Sequence, residues 1–449
     1  MARSSTNAWT PPLELPSGLG AEQRVAEMLA DIQRHNGGAN VYLSLCGTAL
    51  EEARASDARH AAGAVLGPLD GVVVSVKDNI DVAGLATTAG LGFRRHAVAR
   101  DDAVAVARLR AAGAVILGKT NMHAAAFGAT NHNADFGDCA NPAHPGRVAG
   151  GSSGGAAASI AAGWADLALG TDTMGSVRIP GSYCGVAAVK PSYGRISPRG
   201  SVPLCRQLDH IGLLGRHAAS LRPALAVVGG FDPACADSRL WPDAPAARPM
   251  RALRAPTALH GLDIEPEVWD AFQSAIAQLE AAGMAVRRFE AQADGLTPLR
   301  RAGLLLCEAE LLWTYREEWA EHPDQFPKDM AAALRWVEDR KPADFARAWA
   351  KAADAVLLWR AWLADADALL LPAVGQRAFG YKSAVPTQQA DLTLLANFVG
   401  APAAVLPIPA VDGQPMTGLQ IMAAPGADFA LLDFAERVEG VLNSGPAKA

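Results

Sequence analysis

The stretch VAGGSSGGAAASIAAG, residues 148 to 163, consists almost wholly of glycine, alanine and serine. Side chains this small build little core of their own, so the segment belongs where backbone runs close to other packed structure. Two adjacent serines, Ser152 and Ser153, stand at its centre. Glycines on both sides open conformations that a Cβ forbids, and Ala156 to Ala158 let a following helix press against a sheet.

The flanking sequence supplies that sheet. DGVVVSVKDN (70 to 79) reads as a buried strand ending at Lys77. Asp101 to Ala112 reads as a helix capped by Gly113, and Ala114 to Leu117 as a strand running into Lys119. The alternation returns as a helix over 155 to 162, a strand over 166 to 169 and a buried strand near Val186 to Val189. Upstream, Val25, Met28, Leu29 and Ile32 fall at helical spacing within 20 to 35. Such alternation predicts an α/β sheet covered by helices on both faces. Later come a helix over 265 to 283, the strand MAVRRF, and helices around 300 to 320 and 343 to 366. Strands at 368 to 372 and 402 to 407 precede a last helix from about 427 to 443. Without an internal repeat or a low-complexity linker, the 449 residues read as one large domain, with a helical insertion between 300 and 366.

Composition removes several classes of function. A net charge of −6 lacks the basic footprint that phosphate neutralisation requires, so no direct nucleic-acid partner is expected. Six cysteines without paired spacing point to neither a zinc site nor a disulfide framework, and reduced thiols in a cytoplasmic protein are the expectation. The opening MARSSTNAWTPPLELP has no apolar run before its prolines, and no later segment offers about twenty uncharged apolar residues. Neither export nor a membrane span is expected.

The segment from Gly150 to Gly155 satisfies G-x-S-x-G twice, on Ser152 and on Ser153. A nucleophile elbow needs a strand immediately upstream, whereas CANPAHPGRVA is proline-rich loop. A phosphate-cradling loop would carry G-x-x-x-x-G-K-[ST], which is absent because no lysine lies between Lys119 and Lys190, so both readings weaken. Downstream, in GTDTMGSVRIP, a strand empties into a turn that holds Ser176. Backbone N–H groups of such a turn can converge on a developing oxyanion, and its serine can attack. A serine alone is a weak nucleophile and needs a base. The ten histidines show no telling arrangement. Lysine is scarce, eight residues against 32 arginines, and only lysine can lose its proton when desolvated. Lys77, at the end of an apolar strand, is therefore a candidate base; the alternative is a lysine that merely snorkels from the strand end.

Lys77 in GVVVSVKDN, the paired serines in GGSSGG and Ser176 in GTDTMGSVRIP together resemble the amidase signature family of serine hydrolases, from about residue 67 to 216. Weaker echoes follow in NFVGAPAAVLPIP (397 to 409) and TGLQIMAAP (417 to 425). The 24-residue interval from Ser152 to Ser176 is the family's own. The resemblance implies a mixed central sheet and a Ser–cis-Ser–Lys triad: Ser176 as nucleophile, Ser152 as bridging serine, Lys77 as base. It also implies an oxyanion hole made by the N–H groups of Thr173, Met174, Gly175 and Ser176, with Ser153, Asp172 and Arg178 in support. Such a triad needs no metal or cofactor. The reaction implied is hydrolysis of a small-molecule amide through an acyl-serine intermediate.

Three positions depart from the family pattern: Met174 where many relatives have glycine, Ala124 at a usually acidic position, and Val73 in place of a common proline. Six tryptophans and Tyr315 crowd residues 313 to 362, where family members shape the acyl pocket or an oligomer contact such as a homodimer. An aromatic stripe of this kind is first of all core, with Tyr315 or Trp313 the candidates to approach a substrate. Three readings stand: a stand-alone amidase, the glutaminase-like subunit of an aminoacyl-tRNA amidotransferase, and a non-catalytic relative kept as an assembly partner.

Overall fold

The computed structural model describes residues 19–241, 249–409 and 415–444. The N-terminal stretch read above for an export signal, and Lys448, lie outside the described residues. Eleven strands form one sheet: β1 (Tyr42–Leu45), β2 (Val73–Lys77), β3 (Val115–Thr120), β4 (Leu167–Asp172), β5 (Ala187–Lys190), β6 (His210–Gly215), β7 (Ala252–His260), β8 (Ala285–Gln292), β9 (Ala368–Pro372), β10 (Ala403–Ile408) and β11 (Thr417–Ala423). Around it run α1 (Ala21–Ala39), α2 (Ala49–Ala61), α3 (Val104–Ala111), α4 (Gly154–Ala161), α5 (Arg178–Cys184), α6 (Ala218–Val228) and α7 (Pro266–Ala281). They are followed by α8 (Leu296–Thr314), α9 (Arg316–Glu321), α10 (Lys328–Glu338), α11 (Pro342–Leu363), α12 (Leu394–Phe398) and α13 (Asp428–Asn443).

The spatial order is β1-β3-β2-β4-β6-β5-β10-β11-β9-β7-β8. Parallel pairing holds β3, β2 and β4 together on one side and β9, β7 and β8 on the other. The block between them, from β4 through β6, β5, β10 and β11 to β9, is antiparallel. The sheet is thus mixed, as the resemblance implies.

Strand periodicity sorts side chains to two faces. Val74 and Val76 of β2 join one large core with α3, α6, α7 and α13. Val73 packs the other way, into the core under α1, α2 and α4. Ser75 shares this second face, where its hydroxyl meets Ser159 of α4 at 2.7 Å. Two residues further, the same parity turns Lys77 toward the start of α4.

That start is the glycine-rich loop, and its bareness has a geometric cause. A Cβ on Gly155 would lie 2.4 Å from the Asn121 carbonyl oxygen, and one on Gly151 2.7 Å from that of Gly128. Both obstacles are backbone, which has nowhere to go. Ala156, Ala157 and Ala158 are wholly buried behind them, so α4 lies tight against the sheet.

Several elements go unread in the sequence, each for a local reason. β6 carries two glycines, which weaken a strand in isolation, yet a Cβ on Gly212 would sit 2.7 Å from the Val189 carbonyl. β7 contains Pro256, at an irregularity in its pairing with β8. β4 runs three residues beyond the expected 169, to Asp172, and so delivers Thr171 and Asp172 to the site below. All six cysteines are unpaired, and among the described residues no helix is long and apolar enough to cross a membrane.

Gly155→Ala is expected to lower unfolding stability by about 1–3 kcal/mol through overpacking. Gly440→Ala, in α13 with nothing within 4 Å of a new Cβ, is expected to raise it by up to about 1 kcal/mol through helix propensity. Urea denaturation of the two variants checks both signs.

Candidate active site

Lys77 ends β2 fully buried, and its Nζ lies 2.7 Å from Ser152 Oγ and 2.6 Å from Thr171 Oγ1. The Thr171 carbonyl is the next oxygen, at 3.4 Å. Asn79 Nδ2 donates to the same Thr171 hydroxyl at 3.1 Å, which fixes that group on the amine's far side. No carboxylate pairs with Lys77 among the described residues. Burial therefore pulls its ammonium down to about 7, against the opposing fields of Asp209 and Asp172. A neutral amine has two N–H donors and one lone pair, a set that matches two Thr171 oxygens and one serine hydroxyl.

Ser152 is itself fully buried, and its peptide bond to Gly151 is cis. The carbonyl of Ser152 accepts the His123 N–H at 3.1 Å. Ser153 stitches the loop to its surroundings: its hydroxyl donates to the Thr171 carbonyl at 3.1 Å, and its N–H donates to the Ser176 carbonyl at 3.0 Å. This second bond ties the serine loop to the turn that holds Ser176. The Ser176 side chain is half-buried and makes no hydrogen bond among the described residues.

The turn itself is organised by Asp172 and Arg178, both wholly buried. Asp172 accepts the N–H of Gly175 at 2.8 Å and that of Val177 at 3.2 Å. Arg178 meets the same carboxylate through Nε at 3.0 Å and Nη2 at 2.9 Å, a two-point contact. Burial pushes the Asp172 carboxyl up, but the Arg178 guanidinium and these hydrogen bonds outweigh it and hold the group well below the usual carboxylate range. Of the four N–H groups expected to face an oxyanion, that of Gly175 is given to Asp172. The N–H groups of Met174 and Ser176 donate to nothing among the described residues.

Several residues that hold the site carry no role in the sequence reading. Arg178 donates to Gln420 Oε1 and Asn397 Oδ1, each at 2.6 Å, and to the Thr393 carbonyl at 2.7 Å. Asn397 and Gln420 lie in the two echo segments quoted above, so a signal existed without a function attached. Asp209 accepts from Thr173 Oγ1 at 2.5 Å, and burial raises its carboxyl to about 6 against that bond and the N–H groups of Leu204 and Cys205.

The two aromatic candidates lie at the end of α8. Trp313 is 68% exposed, with Arg316 stacked on its ring. Tyr315 is buried among Phe93, Phe326 and the helical core of residues 302 to 348. Neither makes a hydrogen bond or ring contact with Lys77, Ser152 or Ser176 among the described residues. Nor do three His, Cys, Asp or Glu side chains converge there on a point that could hold a metal ion.

Comparison with known proteins places this geometry in context. A family model described as Amidase matches residues 23–299. The 1-carboxybiuret hydrolase subunit AtzE of Pseudomonas sp. (strain ADP) is 45% identical over 226 residues, 49% of this chain and 49% of that protein, so the match spans about half the length of that relative. A glutamyl-tRNA(Gln) amidotransferase subunit of Thermus thermophilus is 34% identical over 444 residues, 90% of each chain. A solved structure described as a vestigial protein complex revealing the evolutionary origins of an s-triazine catabolic enzyme superposes with a TM-score of 0.85. It is 31% identical and covers 95% of this chain and 96% of its own.

Arg178→Met leaves the Asp172 carboxylate buried without its cation, and is expected to cost about 3–5 kcal/mol of unfolding stability. The double variant D172L/R178M, which removes both charges, is expected to recover part of that loss. Guanidinium denaturation of both chains compares them directly.

Proposed function

The chain belongs to the amidase signature family, and from that premise we propose that it is an amidohydrolase cleaving a carboxamide C–N bond through an acyl-Ser176 intermediate. The products are a carboxylate and ammonia or an amine. The observation that carries this reading is the buried Lys77 amine, 2.7 Å from the Ser152 hydroxyl and free of any carboxylate partner among the described residues. Burial without an anion keeps a lysine substantially neutral near pH 7, where it can act as a base.

In the proposed sequence Ser176 Oγ attacks the amide carbonyl carbon. Its proton passes to Ser152 Oγ as the proton of Ser152 passes to Lys77 Nζ. The carbonyl electron pair moves onto oxygen, facing the N–H groups of Met174 and Ser176, with Thr173 a further donor in the same turn. The tetrahedral species then collapses: the C–N bond breaks, Ser152 protonates the departing nitrogen, and Lys77 returns a proton to Ser152. Water then attacks the acyl carbon and gives a proton through Ser152 to Lys77; the bond to Ser176 Oγ breaks, Ser152 returns a proton to that oxygen, and the acyl group leaves as a carboxylic acid that ionises to the carboxylate. Supporting roles fall to Ser153, which ties the serine loop to the turn, and to Asp172 and Arg178, which hold the turn's shape.

A second reading has its own support. The Thermus thermophilus relative that matches 90% of the chain is named as part of a glutamyl-tRNA(Gln) amidotransferase, and a glutaminase-type role would use the same chemistry on glutamine, with released ammonia passed to partner proteins. The first reading has its own relative, the 1-carboxybiuret hydrolase subunit, matched over about half its length. Glutamine turnover and copurifying partners would favour the second.

Intact-mass labelling with a fluorophosphonate is expected to modify the wild type once and Ser176→Ala not at all; labelling of the Ala variant would overturn the assignment. The kcat/KM profile is expected to fall as pH drops through about 7, because protonated Lys77 cannot accept a proton. Lys77→Ala is expected to lower kcat by roughly 10²–10⁴ and to remove that acid limb.

A further inference from the structure

In the turn from Thr173 to Ser176, Met174 is the one residue with a large apolar side chain. It is half-buried, and with Phe398 it packs against both the core of residues 302 to 348 and the core beneath α11 and α12. Its sulfur lies over Gly303 in the middle of α8: a Cβ built there would stand 2.8 Å from Met174 Sδ and 3.3 Å from the Phe398 ring. Glycine weakens a helix interior, and here it opens a notch that the methionine fills. The backbone of the same residue is held from the other side, where Thr393 Oγ1 donates to the Met174 carbonyl at 2.5 Å.

The turn needs such an anchor. It has no regular secondary structure, and Gly175 takes a φ of +128° that residues with a Cβ rarely adopt. Asp172 fixes the N–H groups on either side of Ser176, those of Gly175 and Val177, whereas the N–H of Met174 has no acceptor of its own among the described residues. The Met174 side chain and N–H share one Cα, so seating the side chain aims the donor.

We propose that Met174 is a positioning residue, a peg in the Gly303 notch through which α8 sets the direction of the oxyanion donors. The inference rests on the acyl-Ser176 reading. It makes α8, which supplies no group to the chemistry, a determinant of the rate of acylation rather than of substrate affinity. A methionine and a glycine that pack only as filler would affect folding and nothing else.

The test is the rate of Ser176 phosphonylation by a fluorophosphonate, together with kcat and KM on any amide the wild type turns over. Met174→Gly and Gly303→Ala are each expected to slow labelling and lower kcat roughly tenfold or more, with KM little changed. Met174→Leu, which refills the notch, is expected to restore most of the rate. In the double variant M174G/G303A the second substitution is expected to add no further loss, because the peg it would displace is gone. Should Met174→Gly not fold, as judged by thermal melting, Met174→Ala carries the same comparison. Additive losses in the double variant, or a wild-type rate for Met174→Gly, would overturn the inference alone. Absence of labelling in the wild type would overturn the acyl-enzyme reading and this inference with it.

Discussion

The Asp172–Arg178 ion pair is where distant parts of the chain meet. One carboxylate at the end of β4 gathers two N–H groups of the turn, and one guanidinium at the start of α5 reaches the α12 region and β11. A pair so completely removed from water is costly unless every donor and acceptor is met. Here Asn397 and Gln420 complete the set. The position of Ser176 relative to the sheet is thus a property of four segments at once, and no single loop determines it.

Three buried lysines show how little burial alone says about chemistry. Lys77, Lys119 and Lys190 are all wholly inaccessible. Lys119 has Asp78 at 3.0 Å and forms an ion pair with it. Lys190 donates to the carbonyls of Ala401 and Pro191, at 2.6 and 3.0 Å, and burial followed by the nearby Arg178 charge presses its proton affinity well below the ordinary value. Only Lys77 has a serine hydroxyl within hydrogen-bonding reach among the described residues. Its neighbours, rather than its proton affinity, separate a candidate base from a structural amine.

Much of this was legible in the primary structure, in proportion to how local the cause was. β2, β3, α4 and β9 announce themselves through unbroken apolar runs or a run of small residues, because each is buried by the chain around it. β6 and β7 do not, since their glycines and Pro256 are explained only by neighbours far away in sequence. The same division holds at the site. Lys77, Ser152 and Ser176 are marked by motifs, whereas Thr393 and Asp209 act through tertiary hydrogen bonds that no spacing reveals. Helical periodicity likewise reports that Tyr315 is buried, and says nothing about what it is buried against.

The ordering of these pieces along the chain has a consequence for biosynthesis. Lys77, Ser152 and Ser176 are made within one early stretch, while Thr393, Asn397 and Gln420, which hold the turn through Arg178 and Met174, follow more than two hundred residues after Ser176. β5 likewise waits for β10, more than two hundred residues later, to pair along its free edge. Contacts so far apart in sequence form slowly and late. A growing polypeptide on the ribosome would therefore carry every reactive group long before it could hold them in register, and the competent arrangement would arise only once β10 and β11 have been made.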